Sequence, residues 1–205
     1  MTVWTDPRTW TLGELVTKAI MDTHIRDNLN YLYANSGEKR RELPIMAANP
    51  PLGTALAAAA VELTASGTTA SVNYPTWYQA RFDGTVNEGR MWNFTLPINY
   101  ISTPQVKITY SSGTASVAGS TTVWGVQIAA LTNGDLWNGK VFDADNRGTS
   151  TIAGTSYVTN QATVSLTSID AMASLDNICL MVYRAATADT FNQDAVVTKV
   201  ELFYA

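Results

Sequence analysis

The chain has 205 residues and a formal net charge of −4, with 13 Lys+Arg against 17 Asp+Glu. That length suits one domain of typical size plus an appendage, or two small domains. Cations so few argue against a nucleic-acid-binding protein, whose affinity comes from grouped positive charge, and no apolar run reaches the roughly 20 residues of a membrane-spanning helix. The one cysteine, Cys179, leaves no intrachain disulfide or zinc framework.

From the N-terminus, Met1-Thr2-Val3-Trp4 lacks the basic and apolar regions of a secretory leader, so the cytosol is the expected compartment unless the chain leaves within a larger particle. Breaker signals follow at Asp6-Pro7 and Thr11-Leu12-Gly13-Glu14. Thr17 is well placed to cap a helix that runs to a stop near Asn35-Ser36-Gly37. Ile25, Leu29 and Leu32 lie on one stripe at +4 and +3 spacing, Met21, Ile25 and Asn28 form a second beside it, and Lys18, Asp22, Arg26, Asp27 and Asn30 face outward. Gly37–Glu42 is a short mixed-charge hinge. The proline-rich stretch Leu43-Pro44 to Asn49-Pro50-Pro51-Leu52-Gly53 and the alanine run after it read as an extended connector. The expected organisation is therefore an N-terminal arm and helix over 1–42, a linker over 43–60 and a β-domain over 61–205.

Beyond residue 61, short β-branched and aromatic runs bounded by Gly, Asn, Ser and Pro predict strands at 61–64, 76–82, 90–97, 105–111, 121–131, 157–169, 177–184 and 195–204. Alternation at Trp77, Gln79, Arg81 against Tyr78, Ala80, Phe82 predicts a sheet with one buried and one wet face. Val123–Ile128 and Ile178–Tyr183 are more continuously apolar and read as central strands. Eight such runs predict a mainly β chain, an antiparallel, jelly-roll-like β-sandwich preceded by a short α-helix.

Residues able to carry chemistry are sparse. His24 is the only histidine and sits on the helix, outside the predicted sandwich, which disfavours a nucleophile–histidine arrangement. Three carboxylate pairs, Asp83/Glu88, Asp143/Asp145 and Asp189/Asp194, have the composition a glycosidase needs, but all lie beside Gly or Asn in turn-like stretches. Asp143-Ala144-Asp145-Asn146-Arg147-Gly148 partly matches a calcium loop and fails at Arg147 and at Gly154, where the closing glutamate belongs. Neither a metal nor a cofactor is expected, and Cys179 reads as a small buried hydrophobe. Of the tryptophans, Trp77, Trp92 and Trp124 read as core or subunit-interface residues. Trp137, in Asn133-Gly134-Asp135-Leu136-Trp137-Asn138-Gly139, reads as a residue packed over the sandwich end or as an exposed anchor for a glycan, with Asn133, Asp135 and Asn138 beside it.

The lead Trp10-x-x-Gly13-Glu14-x-Val16-Thr17, followed by Asp22-Thr23-His24-Ile25-Arg26-Asp27-Asn28-Leu29 and Leu32, resembles the N-terminal segment of tailed-phage virion proteins of the tail-fibre, minor-tail and head-surface types. In those proteins a W-x-x-G-E-x-V-T lead precedes a helix with N-T-x-I-R-D-N-L-x-x-L; here Asp22 replaces the usual asparagine. The resemblance covers residues 7–33. It implies a non-enzymatic structural protein on the virion surface, made in the host cytoplasm and anchored to other capsid or tail proteins through Trp10, Glu14, Ile25, Arg26, Asp27, Leu29 and Leu32. A capsid-surface decoration protein, spike or short fibre fits a chain without fibre repeats, and a host-surface glycan is the alternative partner. A lone helix of this length is marginal in water unless its apolar face packs on something. The narrow stripe suits a seam between three copies, hence an expected homotrimer, or a helix folded back on its own sandwich.

Overall fold

The computed structural model describes residues 5–6, 9, 12–35, 40–52, 56–65, 73, 75–113 and 118–204. The chain divides into two compact units, Met1–Glu38 and Lys39–Ala205.

In the first unit the helix starts where its cap predicts: the Thr17 hydroxyl accepts from the Ile20 amide at 3.3 Å, and α1 spans Lys18–Met21. A π-helical turn, Asp22–Arg26, follows and leads into α2, Asp27–Asn35. The expected stop at Ser36-Gly37 lies outside the described residues.

The second unit is a β-sandwich. Its strands are β1 (Arg40–Leu43), β2 (Ala57–Ala58), β3 (Ala60–Ala65), β4 (Thr76–Phe82), β5 (Glu88–Thr95), β6 (Gln105–Ser111), β7 (Thr121–Leu131), β8 (Asn146–Thr151), β9 (Thr159–Ser165), β10 (Asn177–Arg184) and β11 (Ala195–Phe203). One sheet runs β3-β4-β11-β6-β9, with β1 also on β11; the other runs β2-β5-β10-β7-β8. Strands β4 to β11 form four nested antiparallel pairs, β4 with β11, β5 with β10, β6 with β9 and β7 with β8. That is a long hairpin rolled over itself, the jelly-roll arrangement of eight strands.

Eight runs were expected, yet the eight of the roll are not the same set. β3 is an added edge strand. β8, with the polar sequence Asn-Arg-Gly-Thr-Ser-Thr, had read as a failed calcium loop. Its first residue explains the misreading: Asn146 is buried, and its side chain donates to the carbonyls of Val126 and Ser168 and accepts from the Thr167 and Ser168 amides. A residue type that usually marks a turn here satisfies buried backbone between two strands.

The expected linker is corrected as well. Leu43 and Ile45 are core residues, and the Trp92 indole donates to the Pro44 carbonyl at 2.9 Å. Asn49 exchanges two backbone hydrogen bonds with Met91, at 2.8 and 2.9 Å, and β2 pairs in parallel with β5. β1 occupies the side of β11 that β4 vacates, β4 pairing with Ala195–Val197 and β1 with Val200–Phe203. Proline lacks an N–H and so favours extended segments that accept at a sheet margin rather than donate. The segment is spliced into the sandwich, and the boundary between units falls at Glu38/Lys39.

The core lies between the sheets. Trp124 is fully buried, with Phe82 edge-on at 5.2 Å and Tyr110 at 5.3 Å between ring centroids. Its indole and the Tyr110 hydroxyl both meet the Thr122 hydroxyl, at 3.2 and 2.7 Å, so two polar tips are satisfied inside an apolar layer.

Candidate functional site

In the N-terminal unit, Trp10 lies outside the described residues. Gly13 adopts φ +81° in the turn before the helix, a left-handed conformation that favours glycine; Glu14 is half-buried just after it. Among the described residues of the motif, Asn28 is the best buried. Its amide donates to the Thr5 carbonyl and its Oδ1 accepts from the Thr5 amide, both at 2.9 Å. A side chain thereby imitates one rung of a β-ladder and holds the lead segment against the helix.

Arg26 and Asp27 pair with each other at 2.9 Å, and Arg26 also reaches Asp22 at 3.1 Å. Asp22 stands between Arg26 and Lys18, whose Nζ lies 2.5 Å away. The Lys18 ammonium and then Arg26 hold the Asp22 carboxyl below its ordinary range. This ladder gives a local reason for aspartate at a position where the resembling proteins carry asparagine. Met21, Ile25, Leu29 and Leu32 remain between 41 and 59 % exposed on the helix.

In the sandwich, Trp137 is 79 % exposed, beside the exposed Leu136 and Val141. Asp135 is committed to its own loop: its carboxylate accepts from the Thr132 amide at 3.2 Å and from Lys140 Nζ at 3.3 Å, and both contacts lower its pKa. Lys140 also meets Asp170 at 3.0 Å. Asn133 and Asn138 are exposed. The loop is thus a salt-bridged platform that presents Trp137 outward, so packing of this indole over the sandwich end is not observed.

The expected carboxylate pairs are occupied by structural tasks. Asp83 accepts from the Thr85 hydroxyl and amide and from the Val86 amide, which lowers its pKa. Glu88, pushed up by burial, accepts from the Asp83 amide at 2.8 Å. Asp143 caps the Asp170 and Ala144 amides. Asp189 is buried in an ion pair with Arg184 at 2.8 Å, while Asp194 lies 3.6 Å from Arg81. Among the described residues, no group of three or more His, Cys, Asp or Glu side chains is placed to hold a metal ion.

No protein-family model matches the chain, and no curated protein matches it.

The outer face of the β2-β5-β10-β7-β8 sheet carries a feature the sequence reading missed. Continuous apolar character in β7 and β10 serves both faces, with Leu180 and Ile128 in the core and Cys179, Met181 and Ala129 pointing outward. Phe142 and Leu52 fold over this outer face and help line two adjoining hollows of about 440 and 320 Å³. Cys179 is half-buried in the larger, and burial pushes its thiol pKa up, which leaves little thiolate. Tyr183, at the far end, donates to Asp145 Oδ2 at 2.5 Å; burial first, then this carboxylate, raises its pKa to about 12.

The tryptophans divide. Trp92 and Trp124 are core residues as expected, whereas Trp77 is 52 % exposed on the outer face of the other sheet. The alternation along β4 accounts for this: Ala80 and Phe82 face inward, which turns Trp77, Gln79 and Arg81 outward.

Proposed function

We propose that the protein is a non-enzymatic structural component of a tailed-phage virion. In this reading the N-terminal unit self-associates, as a homotrimer, and anchors to other virion proteins, and the sandwich is the displayed domain. The observation that carries it is the helix stripe Met21, Ile25, Leu29 and Leu32, left open to solvent although helices draw most of their stability from packing an apolar face. Several large apolar side chains left exposed along one helix suit an association surface. The pairing of Asn28 with Thr5 also supports the reading, because it gives the lead segment and helix one preformed shape to present. A stripe of four side chains is a small seam, each worth roughly 1.5–3 kcal/mol when fully buried, so the sandwiches contribute to the assembly as well.

Multi-angle light scattering tests it. The full-length protein is expected to be a trimer and Ile25→Asp a monomer or a weaker assembly; a monomeric parent, or a trimer indifferent to Ile25→Asp and Leu29→Asp alike, overturns the association.

A second reading, a glycan-binding module, is favoured by Trp137, held outward on its platform. It predicts that Trp137→Ala abolishes retention on a glycan the parent binds; unchanged retention on every such glycan removes this loop as the site.

A further inference from the structure

From a groove on the outer face of the β3-β4-β11-β6-β9 sheet, we infer a second binding site, for a neutral oligosaccharide, with Trp77 and Tyr157 as its stacking residues. It uses the sandwich alone and stands whether or not the N-terminal unit associates. The groove encloses about 480 Å³, within the range of small-molecule sites. Trp77 and Tyr157 line it, 52 % and 67 % exposed. Both aromatics are large, open to solvent and unexplained by core packing, and aromatic side chains sharing a groove with Thr and Ser residues suit a ligand with apolar ring faces and hydroxyl edges.

Thr109, Ser111, Thr159 and Thr198 line the same groove, the Thr198 hydroxyl donating to the Thr109 carbonyl at 3.5 Å. Ser111 and Thr159 stand directly opposite each other across β6 and β9. Thr198 sits where the β11 register slips between Val197 and Lys199; such a bulge re-aims a side chain. Hydroxyls both donate and accept, which matches a partner that is itself a string of hydroxyls.

Charge selects among sugars. Tyr110, Lys199 and Glu42 complete the lining, but Lys199 Nζ is held 2.8 Å from Glu201 and 3.9 Å from Glu42, and Arg40 lies 3.4 Å from Glu201. Two cations offset two carboxylates, leaving no excess charge for an acidic or basic ligand. Tyr157 adds an independent sign. Its φ of +63° is an uncommon, strained conformation for a bulky residue, and such strain gathers at ligand sites. A proline-rich peptide, which also uses aromatic grooves, is the rival occupant.

The test uses the full chain with neutral glucan, mannan, galactan and xylan hexasaccharides, and with decaproline, followed by calorimetry and by the indole N–H resonances. At least one hexasaccharide is expected to bind, to shift the Trp77 indole signal and not that of Trp137, and to bind equally at low and high salt. Trp77→Ala and Tyr157→Ala should each weaken binding at least tenfold, Trp77→Phe should retain most of it, and Trp137→Ala should change nothing. If Trp77→Ala fails to fold, Tyr157→Ala and Thr159→Val in an exposed turn and an edge strand carry the test. Binding of no hexasaccharide, binding indifferent to these substitutions, loss through Trp137→Ala, or decaproline in place of sugar each overturns the site.

Discussion

The side-chain amide of Asn28 and the backbone of Thr5 exchange two hydrogen bonds of 2.9 Å across 23 residues of sequence. This contact ties Thr5 to the helix, because the asparagine supplies the donor and acceptor that a neighbouring strand would otherwise offer. Two hydrogen bonds of ordinary strength contribute about 1–3 kcal/mol. Asn28→Ala is therefore expected to release the lead segment, with faster hydrogen exchange at the Thr5 amide. Asn28→Asp keeps only the acceptor and sets a carboxylate against the Thr5 carbonyl, so it should not restore protection. An unchanged exchange rate in Asn28→Ala would contradict this account.

Tyr183 and Asp145 give the sandwich an alkaline limit. Burial, and then the Asp145 carboxylate, push the tyrosine up from an ordinary 10.0 to about 12 in the folded protein. The folded state thus holds this proton more tightly than the unfolded chain does. Its stabilising effect is fully present below about 10 and is lost as pH rises toward about 12, because the unfolded state ionises first. Urea midpoints measured across that window should fall for the parent and fall less for Tyr183→Phe. Equal slopes would remove Tyr183 as the cause.

Gly125 faces the same tyrosine across the sheet. A Cβ at position 125 would meet the Tyr183 ring at 2.3 Å, so the glycine is needed for close approach and not for backbone freedom. Overpacking of this kind costs about 1–3 kcal/mol, and Gly125→Ala should also displace the ring and break its bond to Asp145. A lowered melting temperature with a tyrosine titrating closer to 10.0 is the expected pair of results.

Arg184 and Asp189 test how the loop after β10 is held. Both side chains are buried, and the guanidinium also donates to the carbonyls of Phe82, Gln193 and Phe191. Removing one partner leaves the other charge buried, at a cost of about 3–5 kcal/mol. Arg184→Met should lower the urea midpoint sharply. Arg184→Met combined with Asp189→Leu should recover part of the loss, and a double variant no better than the single would show that the carbonyl contacts matter more than the ion pair.

Cys179 should react slowly with a disulfide reagent near neutral pH, since its raised pKa keeps it protonated and Phe142 helps enclose its hollow. Phe142→Ala is expected to speed the reaction several-fold without changing its stoichiometry. Rapid labelling of the parent would show the thiol to be open.

Four strands, β4, β6, β7 and β10, begin and end where the residue pattern places them. Their alternation or continuous apolar character comes from burial against a second sheet. β1 and β2 were illegible because a four-residue charged segment and two alanines have no periodicity of their own. They become strands through an existing edge on β11 and β5. Trp77, Trp92 and Trp124 looked alike in sequence, and only the facing of each strand separated the groove residue from the two core residues. Tyr157, which the residue pattern places at the start of a strand, lies instead in the turn before β9, because neither its positive φ nor its place in a groove with Trp77 is written in its neighbours.

Local chemistry thus determined the helix cap at Thr17, the strand periods and the mainly β class, because each depends on residues within a few positions of one another. The tertiary structure alone decided which eight strands nest into the roll, that residues 43–52 and 56–60 join the sandwich, and which residues share a groove. Those features arise when segments far apart in the chain are brought together, and the sequence pattern of any one segment does not encode what will lie across from it.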